Sequence, residues 1–256
     1  MPALQQYQHK YKNIAFERRD GILLMRLHTR NGPLQWAARD STSVHAALGD
    51  AFYDVGHDAD NRVVIMTGTG DEFLTALDAQ EPIETFDADT WARIHREGRD
   101  LLMNLLDIEV PIIAAVNGPV LGHAELPMMS DIVLASEHTV VADQFHFYTG
   151  IVPGDGSQVW WQMALGPNRG RAFLLTGEPI ASNEAKALGL VKEVLPRTEL
   201  LPRAWHLAQD LLKKPQLVLR FTRLTLTHHL KKRMLEELGY GLGIEGLAML
   251  SSASQR

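Results

Sequence analysis

The 256-residue chain contains no cysteine. That absence removes thiol nucleophiles, CxxC redox pairs, zinc ribbons and iron–sulfur clusters, and it fits a reducing compartment such as the cytoplasm. No apolar run approaches the ~18 residues needed to span a bilayer. Residues 1–10 are polar, without a basic flank leading into an apolar stretch, so no export signal is expected. A basic excess is missing as well. Against 25 Lys+Arg stand 31 Asp+Glu, a formal net charge of −6, which argues against a nucleic-acid partner. The one basic patch, Lys231-Lys232-Arg233 after His228-His229, reads as a solvated helix face.

Several chemical signatures are also absent. There is no HExxH among the 11 histidines, and the adjacent His228 and His229 point to different sides of a helix. Gly68-Thr69-Gly70 lacks the third glycine of a dinucleotide fingerprint. Ser157 lacks the G-x-S-x-G spacing of a nucleophile elbow and reads as a helix N-cap. No metal and no redox cofactor is expected.

What is present is a core. With 45% hydrophobic residues over this length, folding should bury roughly 70–75% of the unfolded surface. Such a core needs no covalent staple. Ile14–Glu17 and Ile22–Leu27 flank Arg19-Asp20-Gly21, a hairpin signal. Residues 29–42 look like loop, and Ser43 opens a helix-period run to about Tyr53. Val63-Val64-Ile65-Met66 is a short buried strand, followed by an irregular stretch and an amphipathic helix over about 90–106. Ile112-Ile113-Ala114-Ala115-Val116 predicts a second buried strand, then a short helix over 124–129, strands over 132–135 and 140–142, and a loop over 143–156. Ser182 is expected to cap a helix stopped by Gly189, before a strand over 191–194 and three helical stretches between 198 and 250. Strands each followed by a helix imply α/β architecture. Periodicity leaves open whether the sheet is doubly wound or coiled into a spiral.

Three segments carry a family resemblance: Val63-Val64-Ile65-Met66-Thr67-Gly68-Thr69-Gly70, Val110-Pro111-Ile112-Ile113-Ala114-Ala115-Val116-Asn117-Gly118-Pro119, and Ala181-Ser182-Asn183-Glu184-Ala185-Lys186-Ala187-Leu188-Gly189-Leu190-Val191. In order and spacing they resemble the crotonase (enoyl-CoA hydratase/isomerase) superfamily from about residue 14 to 250. The resemblance implies a spiral of ββα units over 1–196 and a helical C-terminal trimerisation region over 197–256, with assembly as a homotrimer or dimer of trimers. It also implies two backbone N–H groups aimed at a developing oxyanion. By position these belong to Leu77 and Gly122, with His123 as an alternative because the second loop is one residue short. On residues alone, Gly122 reads equally as a loop glycine at positive φ.

The departures from that family narrow the reading. Thr75-Ala76-Leu77-Asp78 stands where the first loop carries Ala-Gly-x-Asp, and Leu121-Gly122-His123-Ala124-Glu125 replaces a glycine-rich run. A hydratase would use Glu125 and a second carboxylate seven residues before Pro153, but that position holds His146. His123, His146 and Asp155 together resemble the β-diketone hydrolase branch typified by 6-oxocamphor hydrolase, as do Gly150-Ile151-Val152-Pro153-Gly154-Asp155-Gly156 and Gly243-Ile244-Glu245.

That likeness implies retro-Claisen cleavage of a cyclic or bicyclic diketone to a keto acid, without a cofactor. Histidine suits a water-activating base because its ordinary pKa is about 6.5. The expectation is therefore His146 as base, Asp155 as the carboxylate orienting it, and His123 at a substrate carbonyl. Trp36, His45 and Glu245 are expected to contact substrate, Glu245 as a protonated acid if buried. Bland alternatives stand beside each: His146 packed between Phe145 and Phe147, Asp155 as a Gly-Asp-Gly turn residue, His123 at a helix entry, Trp36 and His45 as packing residues, Glu245 as an exposed helix acid. The competing activities are a CoA-thioester hydratase, isomerase or hydrolase, and a homologue that has lost its chemistry.

Overall fold

A computed structural model describes residues 3–253. After a short helix α1 (Leu4–Tyr7), β1 (Ile14–Arg19) and β2 (Ile22–Leu27) form an antiparallel hairpin. Asp20 and Gly21 close it with φ of 51° and 83°, the left-handed pair that lets a two-residue turn follow the twist of its strands. β2 then pairs in parallel with β4 (Val63–Thr67), β4 with β6 (Ile112–Val116), β6 with β7 (Ile132–Ser136), and β7 with β10 (Glu193–Leu195). The result is a six-stranded sheet of order β1-β2-β4-β6-β7-β10.

Alternation along these strands divides the core. Leu23, Met25, Val64, Met66, Ile112 and Ala114 face one side, where α2 (Val44–His57) and α3 (Ala88–Asp107) cover them. Ile22, Leu24, Val63, Ile65, Ile113 and Ala115 face the other, sealed by Leu200, Ala204 and Ala208 of α9 (Arg197–Leu212). Both faces are dry, which explains why the strands are continuous apolar runs rather than alternating ones.

A second, smaller layer lies outside the main sheet. β3 (Leu34–Trp36) pairs in parallel with β5 (Leu74–Leu77). Single bridges join Leu74 to Val120 and Val120 to Val141. Val141 belongs to β8 (Val140–Val141), which pairs with β9 (Ile180–Ala181). Strand, short strand, helix therefore recurs as β2-β3-α2 and β4-β5-α3. It recurs in abbreviated form as β6, Val120 and α4 (Glu125–Met128), then as β7-β8 and α5 (Gln144–Thr149). This is the expected spiral of ββα units. Helices α6 (Ser157–Leu165), α7 (Pro167–Thr176) and α8 (Ser182–Ala187) precede β10 and α9, and α10 (Gln216–Ala253) closes the chain against α3 and α6.

The Asn117-Gly118 step shows how a motif shapes the loops. Asn117 Oδ1 accepts from Gly68 N–H at 3.0 Å, while its Nδ2 donates to the carbonyls of Gly70 and Glu72 at 2.9 and 3.1 Å. A Cβ on Gly118 would lie 1.8 Å from the Asp71 carbonyl, so only glycine admits this approach. The loop entering β5 is thereby fastened to the end of β6.

Several local expectations are corrected. Residues 29–42 contain β3, and the irregular stretch after β4 contains β5; strands of three and four residues are too short to leave a period. The 143–156 loop opens with α5, whose aromatic-rich QFHFYT sequence favours strand over helix by propensity. Ser182 is not a cap: Ala181 is the N-cap, and Ser182 Oγ donates to the Glu137 carbonyl at 3.0 Å. The strand expected over 191–194 begins at Glu193, and the three C-terminal helical stretches are two, since α10 runs unbroken for 38 residues. Along the basic patch, Lys231, Lys232 and Arg233 pair with Asp107, Glu236 and Glu237. Among the described residues no helix is long and apolar enough to cross a membrane.

Candidate active site

The second layer and the loops around it enclose a cavity of about 460 Å³. Trp36 and Leu77 sit side by side at the ends of β3 and β5 and enter its wall, with His45 from α2. His123 reaches it from the turn before α4, His146 from α5 and Asp155 from the loop after α5. Glu245 and Leu242 close it from α10, and Phe86, Trp91 and Ile94 line the apolar remainder. All seven side chains and backbone positions Trp36, His45, Leu77, His123, His146, Asp155 and Glu245 thus share one space. Gly122 lies beneath the Phe145 ring, where a Cβ would come within 2.1 Å of Cδ2.

The polar groups form an array of alternating sign. Asp143 Oδ1 lies 2.6 Å from His146 Nδ1. On the opposite side of that ring, Asp155 Oδ2 stands 3.5 Å from Nε2. The same oxygen is 3.1 Å from His123 Nδ1, which also meets Glu125 Oε1 at 3.1 Å. Glu125 Oε2 in turn accepts from Ser157 Oγ at 3.2 Å. Asp155 Oδ2 has no well-directed hydrogen bond from either histidine, so it acts on both through charge.

Burial and charge compete at each member. For His123, burial favours the neutral ring, but Asp155 and Glu125 outweigh it and push the pKa up to about 10. The ring is therefore an imidazolium at neutral pH. It stacks on the Trp36 indole with centroids 3.8 Å apart and planes 28° from parallel, a cation–π contact. His123 has φ of 44°, a left-handed backbone that is strained for a residue bearing a Cβ. The positive φ foreseen as a reading for Gly122 is thus found one residue later, at His123.

His146 is likewise raised well above 6.5, because Asp155 and Asp143 outweigh the effect of burial. Asp155 is held well below the usual carboxylate range, its burial overcome by the two histidines. Burial and then the charge of Asp155 push Glu125 up. They push Glu245 up to about 8, so it is a neutral acid at pH 7, and its Oε2 has no partner. Buried His45 is lowered by desolvation, partly offset by Glu97 at 3.3 Å from Nδ1, and its ring stands edge-on to Trp36.

His123, Glu125 and Asp155 also bring potential metal-ligating atoms within 4.8 Å of one another. The Nδ1 that a metal would need is the one shared by both carboxylates and is held protonated, so the trio fits an imidazolium clasped between two acids.

The chain as a whole is similar to known proteins. Residues 17–241 match the family model for enoyl-CoA hydratase/isomerase. The chain belongs to the enoyl-CoA hydratase/isomerase family. A carnitinyl-CoA dehydratase from Salmonella typhi is 32% identical over 202 residues, covering 75% of this chain and 76% of the relative. Among solved structures, a β-diketone hydrolase from the cyanobacterium Anabaena sp. PCC 7120, bound to (S)-3-oxocyclohexyl acetic acid, is 44% identical. It superposes with a TM-score of 0.92 over 96% of this chain and 97% of that one. An enoyl-CoA hydratase/isomerase from Mycobacterium paratuberculosis is 26% identical, with a TM-score of 0.85 over 96% and 98%.

Glu125, the residue that the family resemblance would make a hydratase acid, has both its oxygens engaged, by His123 and Ser157. Three members of the array escaped sequence reasoning. Asp143, directly before a six-residue helix, looks like an ordinary cap. Glu125 was weighed only as a hydratase acid. Ser157 was expected to be an N-cap, but Gly156 holds that position and the buried Ser157 side chain turns to Glu125. A spacing of three between Asp143 and His146 on a short helix was the one available signal.

Proposed function

We propose that the protein is a cofactor-independent hydrolase that cleaves a C–C bond of a cyclic or bicyclic β-diketone by a retro-Claisen reaction, giving a keto acid. The observation that carries this reading is the pair of buried imidazoles, His123 and His146, held by Asp155 between them in a mainly apolar cavity. The 44% identity to the cyanobacterial β-diketone hydrolase supports it.

The chemistry follows from the array. In its neutral form, which the raised pKa disfavours, His146 takes a proton from water at Nε2 as the water oxygen bonds to one carbonyl carbon of the substrate. The backbone N–H of Leu77, with that of Gly122 or His123, receives the tetrahedral oxyanion. Collapse re-forms that carbonyl as the carboxylic acid, breaks the C–C bond and leaves the electron pair as an enolate on the other half. The His123 imidazolium and the Trp36 indole N–H stabilise the enolate oxygen. The proton held on His146 returns to the enolate carbon, so one water is consumed and no redox change occurs. Glu245, neutral at pH 7, can donate a hydrogen bond to a ketone, and buried His45 contributes to the same wall. Asp155 stabilises positive charge on both rings, because 3.5 Å from Nε2 leaves that nitrogen free to meet water.

The apolar side chains left uncovered along α10, among them Leu217, Phe221, Leu226, Leu235 and Leu247, support assembly of several copies as the homotrimer or dimer of trimers that the family resemblance implies. The absence of cysteine supports a cytoplasmic setting. The test is turnover of a panel of bicyclic 1,3-diketones, followed by loss of diketone and gain of acid. Diketone cleavage with no activity on acyl-CoA esters is expected. Turnover of crotonyl-CoA or a related thioester, with every diketone untouched, would overturn the reading in favour of a CoA-thioester enzyme.

A further inference from the structure

We propose that Asp143 is the positioning residue of His146: by accepting the Nδ1–H it fixes the tautomer whose bare Nε2 faces the cavity, a task that the sequence pattern assigns to Asp155. The geometry separates the two carboxylates. Asp143 Oδ1 is 2.6 Å from Nδ1, whereas Asp155 Oδ2 lies on the Nε2 side at 3.5 Å without a directed hydrogen bond. One imidazole nitrogen so close to a carboxylate must carry a hydrogen, and a neutral imidazole has only one to place. The remaining nitrogen, Nε2, then carries the lone pair, on the side of Asp155, which lines the cavity with His146.

The local structure points the same way. Asp143 stands at the N-cap of α5, where an Asp ordinarily accepts a hydrogen bond from the first turn, yet its side chain makes no capping bond. It is 2% exposed, its Oδ2 has no partner, and His146 is 6% exposed. A buried carboxylate that forgoes its cap and leaves one oxygen unpaired is costly to fold. Its one strong bond is to the histidine.

Four groups face the His146 ring: Asp143 from its own helix, Asp155 from the following loop, His123 with ring centroids 6.0 Å away, and Glu245 from α10. Asp143 and Asp155 favour the imidazolium, His123 opposes it, and Glu245 adds negative charge only when ionised. Removing the Asp143 charge therefore lowers the His146 pKa and weakens the hold on the tautomer. The catalytic consequence rests on the hydrolase reading, in which His146 must be neutral to accept the water proton.

The experiment pairs kinetics with spectroscopy on the full-length protein. Asp143→Asn keeps the shape of the side chain but lets an amide N–H face Nδ1. On a cleaved bicyclic diketone, kcat is expected to fall by about 100-fold or more, as for other base-orienting carboxylates, while KM changes by less than about threefold. The acid limb of kcat is expected to move to lower pH. Imidazole 15N spectra of the wild type, with His146 assigned by its loss in His146→Ala, should show the Nδ1-protonated tautomer in the neutral form. An Nε2-protonated tautomer, or Asp143→Asn with unchanged kcat and limb, would overturn the proposal. Should Asp143→Asn not fold, the wild-type spectrum decides alone. A wild type inert toward diketones would sink the hydrolase reading, and the tautomer would still decide the role of Asp143.

Discussion

The main sheet and the cavity layer are built on opposite principles. In β4 and β6 every residue is buried. The only side-chain polar group there, the Thr67 hydroxyl, donates to the Ala115 carbonyl at 2.7 Å. Strand ladders satisfy the backbone, and the side chains contribute packing. Outside those strands, Asp143, His146, Asp155, His123, Glu125 and Glu245 are all largely desolvated in and beside one cavity, and three of their carboxylate oxygens lack a hydrogen bond. Buried charges are tolerated only when paired, and even then add little net stability. The comparison teaches that the sheet supplies the stability that holds a destabilising, chemically competent cluster in place.

The sharpest way to break this comparison is His146→Ala. If the cluster serves chemistry, diketone cleavage should fall by about 10³-fold, within the range of a lost general base, and the thermal midpoint should fall only moderately, from the loss of a buried partner to Asp143 and Asp155. A large drop in melting temperature with modest loss of turnover would make His146 a structural residue. The converse experiment is Ile113→Ala in the fully buried β6. Denaturant titration should show a loss of about 2–5 kcal/mol, with the pH dependence of the remaining activity unchanged.

A subtler test uses linkage. Glu245 is neutral in the folded protein up to about pH 8, but ionises near 4.5 when unfolded. Its contribution is fully present below pH 4.5 and is lost as pH rises toward 8, because the unfolded chain releases the proton first. Stability measured for Glu245→Gln relative to wild type should therefore improve between pH 4.5 and 8, by no more than about 1.4 kcal/mol per pH unit, and level off above. A difference independent of pH would mean that Glu245 is charged when folded.

Much of the sheet was legible because long-range burial leaves a local trace. Val63–Met66 and Ile112–Val116 are apolar without alternation, and a strand covered on both faces must look that way. Asp20-Gly21 announced its turn by the φ that it must adopt. β3, β5 and β9 were invisible, since strands of two to four residues are defined by partners distant in sequence. The site shows the same division. Trp36, His45, His123, His146, Asp155 and Glu245 could be named from family position, and they do line one cavity. How they pair could not, because Asp143 and Asp155 are both near His146 in sequence and only three-dimensional geometry tells which nitrogen each one faces. Gly122 was ambiguous for a similar reason: its smallness answers to Phe145, a contact that no spacing encodes.

The left-handed backbone at His123 has a consequence for substitution. By family resemblance this position holds glycine in hydratases, and φ of 44° is a conformation that glycine adopts freely. The loop thus follows a path open to glycine while carrying a ring, so exchanging the side chain at position 123 for none at all leaves the course of the main chain unchanged.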